Sequence, residues 1–149
     1  MLARFRKAKD TQDDGFTLIE LLVVMIIIGI LAAIAIPVFL SQRAKAQDTA
    51  TKADLSTLGK EIATYFVDNT TAPTVTITGT NYVVNSNTVG RVSQSTIGSM
   101  NVHWSTAAPT APSASWCVDL TNSAGSTKTW KFSAAGGLQS GACAAADYA

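Results

Sequence analysis

Residues 21–40 read LLVVMIIIGILAAIAIPVFL and contain no charged side chain. A helix rises about 1.5 Å per residue, so this run covers about 30 Å, the thickness of the hydrocarbon layer of a bilayer. No turn residue cuts it into strands, and a helix is the open structure that satisfies its own backbone in lipid. Beyond Leu40 the pattern becomes one-sided. Leu55, Leu58, Ile62, Tyr65 and Phe66 recur at helical spacing, while Lys52, Asp54, Lys60 and Glu61 fill the remainder. Asp48 and Lys52 are spaced as an i,i+4 ion pair. The two patterns join without a break and predict one helix over about 16–67, ended by Asp68-Asn69 and Pro73. Pro37 removes a hydrogen bond inside it and Gly29 weakens it, so a kink or a loosened turn is expected.

The rest reads as short strands. Segments 74–78, 82–84, 89–92, 97–104, 115–120 and 127–132 are β-prone and separated by Gly, Ser, Asn and Pro. The last two form a hairpin across 121–126. Trp116, Val118 and Leu120 share one face with Trp130 and Phe132, and that face is expected to cover the Leu55-to-Phe66 stripe. Segment 105–114 has two prolines and reads as a loop. The fold class is therefore α+β, a long N-terminal helix whose C-terminal half packs on a small antiparallel sheet.

Charge divides the chain further. Of 149 residues only 14% are charged and the net charge is +1, which argues against a polyelectrolyte partner. Residues 1–15 hold seven charges: Arg4, Arg6, Lys7 and Lys9 against Asp10, Asp13 and Asp14. These bases precede the apolar run and place the N-terminus in the cytoplasm, with residues from about 41 onward outside. A secretory signal peptide cut after Ala33-Ile34-Ala35 is a competing reading. It is weakened by the length of the run and by Glu20 at its head.

Glu20 stands five residues into an apolar stretch that begins at Phe16. A carboxylate in the apolar layer costs about 2.5–3.5 kcal/mol at mid-depth and less near the interface, and it generally has a partner or a task. No base lies within one turn after it. Cutting between Gly15 and Phe16 would supply one, because the new α-amine is cationic near neutral pH and lies four residues away on the same helical face.

Gly15-Phe16-Thr17-Leu18-Ile19-Glu20 and the apolar run after it closely resemble the N-terminus of type IV pilins, the prepilin or class III signal. The resemblance covers about residues 15–45. It implies a pilin fold and three regions: a removed leader at 1–15, a transmembrane and filament-core helix at 16–40, and an exported head at 41–149. It implies cleavage after Gly15 and N-methylation of Phe16 by a membrane prepilin peptidase. It further implies that Glu20 neutralises a neighbouring subunit's terminal amine, and that the stretch around Gly29 and Pro37 yields under load. The leader end, Gln12-Asp13-Asp14-Gly15, departs from the many family leaders that carry a base there.

Cys117 and Cys143 are the only cysteines. The predicted orientation puts both where disulfides persist. A bridge between them would stabilise the fold by roughly 3.5 kcal/mol on a chain-entropy estimate and would pin the Gly- and Ala-rich end, 136–149. A cysteine pair near the C-terminus is also carried by type IV pilins and is usually lacking in type II secretion pseudopilins.

His103 is the only histidine. The chain shows no catalytic triad pattern, no phosphate loop and no metal-ligand cluster, so neither an enzyme nor a cofactor is expected. Arg91, Lys128 and Lys131, near Trp130, make a thin basic patch that would suit nucleic acid. Asn69-Thr70-Thr71 fits a glycosylation sequon. The resemblance implies a homo-oligomeric surface filament for adhesion, twitching motility or DNA uptake. The subunit would enter it from the membrane through an assembly platform, with minor pilins as further partners. The alternatives are a minor or competence pilin that binds DNA or a surface, and a type II secretion pseudopilin.

Overall fold

The computed structural model describes residues 15–93, 97–105 and 115–148; the expected leader, apart from Gly15, and most of the proline-bearing loop lie outside them. α1 runs Leu18–Asp68, with Pro37 inside it. Asn69 ends it by donating its amide Nδ2 to the Tyr65 carbonyl at 3.0 Å. The chain divides into two units, Met1–Val38 and Phe39–Ala149, and the division falls one residue past Pro37.

In the first unit the described side chains are exposed, with Ala32 alone half-buried. The helix there is long and apolar enough to cross a membrane.

The second unit holds seven strands among the described residues: β1 Val75–Thr78, β2 Asn81–Val84, β3 Asn87–Arg91, β4 Ile97–Trp104, β5 Trp116–Asn122, β6 Thr129–Ser133 and β7 Gly137–Ser140. They make two antiparallel sheets, ordered β1-β2-β3 and β4-β5-β6-β7, where one sheet was expected. The first ends where β3 turns away. Val92 N–H still donates to the Thr80 carbonyl at 2.9 Å, but Ser93 is drawn to the helix by Asp54. β2 and β3 join through Asn85 and Ser86, both at positive φ (46° and 68°), as a two-residue hairpin requires.

The core joins helix and sheets as the apolar pattern predicts. Leu55, Leu58, Ile62 and Phe66 pack against Tyr82 and Val84 of β2 and against Trp116, Val118 and Leu120 of β5. In the hairpin, Leu120 faces Trp130 and Val118 faces Phe132. Gly59 sits buried against β6; a Cβ there would run into the Phe132 ring.

Two further details differ from expectation. Segment 136–149 is pinned by the Cys117–Cys143 bridge as expected, but it also holds itself through β7, which pairs with β6 through Phe132–Leu138 and Trp130–Ser140. The Asp48–Lys52 pair does not form. Asp48 instead accepts from Thr127 N–H at 3.1 and 3.2 Å, and Lys52 lies 3.9 Å above the Trp130 ring. A backbone donor and an aromatic face in a half-buried setting outweigh a solvated ion pair worth a few tenths of a kcal/mol.

Candidate functional site

The helix opens with Thr17-Leu18-Ile19-Glu20, the Ser/Thr-x-x-Glu pattern of a capping box. The first turn of a helix has backbone N–H groups without intrahelical partners, and the box supplies two acceptors. Glu20 N–H donates to Thr17 Oγ1 at 3.3 Å. In return Glu20 Oε2 accepts Thr17 N–H at 2.9 Å and the Thr17 hydroxyl at 2.7 Å. The carboxylate is thereby folded back over the helix start, one residue from Phe16. Both contacts use Oε2, so Oε1 keeps its lone pairs open among the described residues. Thr17 went unremarked in the sequence, although its spacing from Glu20 carries the signal.

Gly15 and Phe16 precede the helix without regular secondary structure and are exposed, Phe16 at 88%. Gly29 and Pro37 lie within the helix, on the exposed run.

The head carries a second constellation at the end of the chain. Cys117 on β5 and Cys143 are disulfide-bonded, with Cα atoms 5.9 Å apart. Asp119, two residues on in β5, is buried and accepts from Cys143 N–H at 3.2 Å and from Asn101 Nδ2 at 2.9 Å. His103 Nε2 lies 3.7 Å from the same carboxylate, and its ring stacks on Tyr148. His103, Asp119 and Cys143 thus bring three possible ligand atoms together, but the Cys143 sulfur is bonded to Cys117 and offers no thiolate. Lys131 donates to both oxygens of Asp147 at 2.7 Å, and Asp147 also accepts Ala144 N–H at 2.6 Å. The Lys131 ammonium, then the Ala144 amide, holds the Asp147 carboxyl below its ordinary range.

The basic patch is differently occupied. Lys128 Nζ donates to the carbonyls of Ser123 and Gly125 at 2.7 and 2.9 Å, and Lys131 is paired. Of the three, Arg91 alone has no partner among the described residues, and it lies on the other sheet. The sequon asparagine, Asn69, has its amide nitrogen committed to the helix end.

One buried acid was misplaced by the sequence. Asp54 was assigned to the solvated side, yet it is 5% exposed. It accepts from the Tyr82 hydroxyl at 3.1 Å, from Ser93 N–H at 2.9 Å and from the Ser93 hydroxyl. Burial, reinforced by the Asp54 charge, pushes the Tyr82 phenol above its ordinary value and keeps it a donor. Its position directly before Leu55 and four before Leu58 was the available signal.

Residues 11–36 match the prokaryotic N-terminal methylation motif. The type II secretion system core protein G of Pseudomonas aeruginosa is 40% identical over 62 residues, 42% of this chain and 44% of that protein. The type IV wide pilus major component PilA4 of Thermus thermophilus is 51% identical over 55 residues, 37% of this chain and 42% of that protein. The type IV major pilin protein PilA of Myxococcus xanthus is 51% identical over 47 residues, 32% and 21% respectively. The chain spans less than half the length of these relatives. No solved structure matches it.

Proposed function

We propose that this chain, a type IV pilin by its N-terminal motif and its fold, is made as a membrane-anchored precursor and trimmed between Gly15 and Phe16. It is then polymerised into a surface filament. Hydrolysis of that peptide bond leaves a carboxylate on Gly15 and an α-amine on Phe16; the same enzyme then moves a methyl group from a sulfonium methyl donor to that nitrogen, the donor's S–CH3 bond breaking to leave a thioether and the amine losing a proton. The observation that carries the reading is Glu20, the acid at the head of the exposed apolar helix, whose Oε1 is open while Oε2 is held by Thr17. A carboxylate held in this way can keep its own cap and accept a neighbouring subunit's amine, so neither charge enters the fibre unpaired. The exposed apolar faces of residues 18–40 supply the packing surface, first against lipid and then against sister helices.

The Cys117–Cys143 bridge supports a pilin over a secretion pseudopilin. A structural subunit also fits the buried, internally satisfied acids of the head. Mass analysis of the mature N-terminus in surface filaments tests the reading. A chain that starts at methylated Phe16 is expected; one that starts after Ala35, or retains residues 1–15, overturns it.

A further inference from the structure

The second sheet gathers, on its outer face, metal-binding groups that lie far apart in sequence. Strand alternation puts Cys117 and Asp119 of β5 on the face opposite Trp116, Val118 and Leu120, which fill the core. In the antiparallel register His103 of β4 stands opposite Cys117, and Asn101 opposite Asp119, so their side chains share that outer face. The terminal segment then brings Cys143 onto it. A ring nitrogen of His103, a carboxylate oxygen of Asp119 and the Cys143 sulfur lie within 4.8 Å of one another, and the Cys117 sulfur is bonded to the last of these.

The two groups that are not sulfur have capacity to spare. Asp119 is buried; its Oδ1 accepts the Asn101 amide and its Oδ2 the Cys143 N–H, and each oxygen keeps a further lone pair. His103 Nε2 is 3.7 Å from Asp119 Oδ2, too long for a hydrogen bond, and the ring bonds to no other described polar group. That separation is close to the roughly 3.4 Å between a nitrogen and an oxygen on one tetrahedral zinc ion, given bonds of about 2.0–2.2 Å to each. Lys131 faces Asp119 from β6, but its ammonium is paired to Asp147 at 2.7 Å. The His103 side chain is 37% exposed, which leaves an entry path.

Until the bridge closes, both sulfurs are thiols. We propose that the thiol form of this chain binds one zinc ion through Cys117, Cys143, His103 and Asp119, so that metal and disulfide are alternative ways of holding the chain end. Binding takes one proton from each thiol, forms two Zn–S bonds, one Zn–N bond to the neutral imidazole and one Zn–O bond to the carboxylate, and changes no oxidation state. Two sulfurs and a nitrogen beside a single carboxylate suit zinc and not calcium, which takes about six to eight oxygens. The inference does not depend on the filament reading.

The test uses the full-length chain in detergent. A phosphine and water open the bridge to two thiols and the phosphine oxide, and the reductant is then removed without air. Zinc is titrated in competition with a chromophoric chelator, and cobalt(II) serves as its coloured substitute. One zinc per reduced chain is expected, with a tetrahedral cobalt spectrum that includes a thiolate charge-transfer band, and no uptake by the bridged chain at the same concentrations. His103→Ala in the reduced chain is expected to lower zinc affinity at least about tenfold, since losing a ligand should exceed the loss of a group that merely supports one. If that variant misfolds, the imidazole nitrogen shifts of the wild-type chain decide, because His103 is its only histidine and those shifts must move on zinc loading. Tryptophan emission reads whether the reduced head is folded. A reduced chain that takes up no zinc, a bridged chain that takes up as much, an unaltered affinity in His103→Ala, imidazole shifts that stay put, or binding only by an unfolded head would each overturn the site.

Discussion

Two acids on the same helix have opposite fates. Glu20, in the first unit, is satisfied by a residue three positions away and keeps an oxygen open. Asp54, in the second, is satisfied by Tyr82 and Ser93, 28 and 39 residues away, and both its oxygens are used. The surroundings follow the same division. From 18 to 40 the large apolar side chains lie on the surface (Val23 is 46% exposed and Phe39 67%), whereas Leu55, Leu58 and Ile62 are fully buried. A helix apolar on every side looks for partners outside its own chain. A helix with one apolar stripe finds them within it. An acid with a local cap can accept a new partner, while an acid locked by distant strands holds the fold.

The largest expected effect separates these roles. Glu20→Ala is expected to leave the head's unfolding unchanged and to reduce fibre yield at least about tenfold, since a fibre would then bury each amine without its counter-charge. Asp54→Ala is expected to leave N-terminal processing intact and to destabilise the head by about 1–3 kcal/mol for each buried donor it orphans. All three tryptophans, Trp104, Trp116 and Trp130, lie in the head, so their fluorescence in the detergent-solubilised full chain reports its unfolding alone. Reversed outcomes for the two substitutions would end the distinction.

The core comes next. Leu58→Ala is expected to cost about 2–5 kcal/mol, read from the same fluorescence. Gly59→Ala is expected to cost about 1–3 kcal/mol, because the added methyl enters the space of the Phe132 ring. A neutral Gly59→Ala would place the helix farther from β6 than described.

The helix, its stripe and the facing hairpin were legible because burial there is periodic. Apolar positions every three or four residues in α1 and every second residue in β5 point to one another, and Val118 and Leu120 do meet Leu55 and Leu58 in one core. The cysteine pair was legible from compartment chemistry. What stayed hidden depends on distant or backbone partners. Nothing adjacent to Asp48 indicates that it will bind Thr127 N–H, 79 residues on. β7 reads Gly-Leu-Gln-Ser, with a single apolar residue, and is specified by its ladder to β6 rather than by its own composition. At the end of the first sheet Ser93 reaches Asp54, a contact no local pattern encodes. At the N-terminal site the reverse held: Thr17 to Glu20 is local and was readable from four residues.

The disulfide should matter less than its loop length implies. Replacing Cys117 and Cys143 by serine is expected to cost toward the lower end of about 2–4 kcal/mol. β7, the Asp119–Cys143 hydrogen bond and the Lys131–Asp147 pair hold the same segment independently. A loss above that range would mean that these contacts form only once the bridge is closed.

The smallest effect is a pH dependence confined to the chain end. Asp147 has a carboxyl held below its ordinary value, first by the hydrogen bond from Lys131 and then by that from Ala144 N–H. A carboxyl depressed in the folded state contributes stability that is fully present above its unfolded pKa of about 3.9 and is lost as pH falls through the depressed folded value. At neutral pH the end should therefore be docked, and its release should be an acid step that precedes or accompanies unfolding of the head. Lys131→Met removes the larger cause while leaving the Ala144 amide in place, so the Asp147 midpoint should rise toward its ordinary value without reaching it. NMR titration of the Asp147 carboxyl in the solubilised chain reads this directly, with the Ala144 amide as a second reporter. An unchanged midpoint in Lys131→Met would mean that the ammonium does not set it, and that the end is held by the Tyr148–His103 stack and the bridge instead.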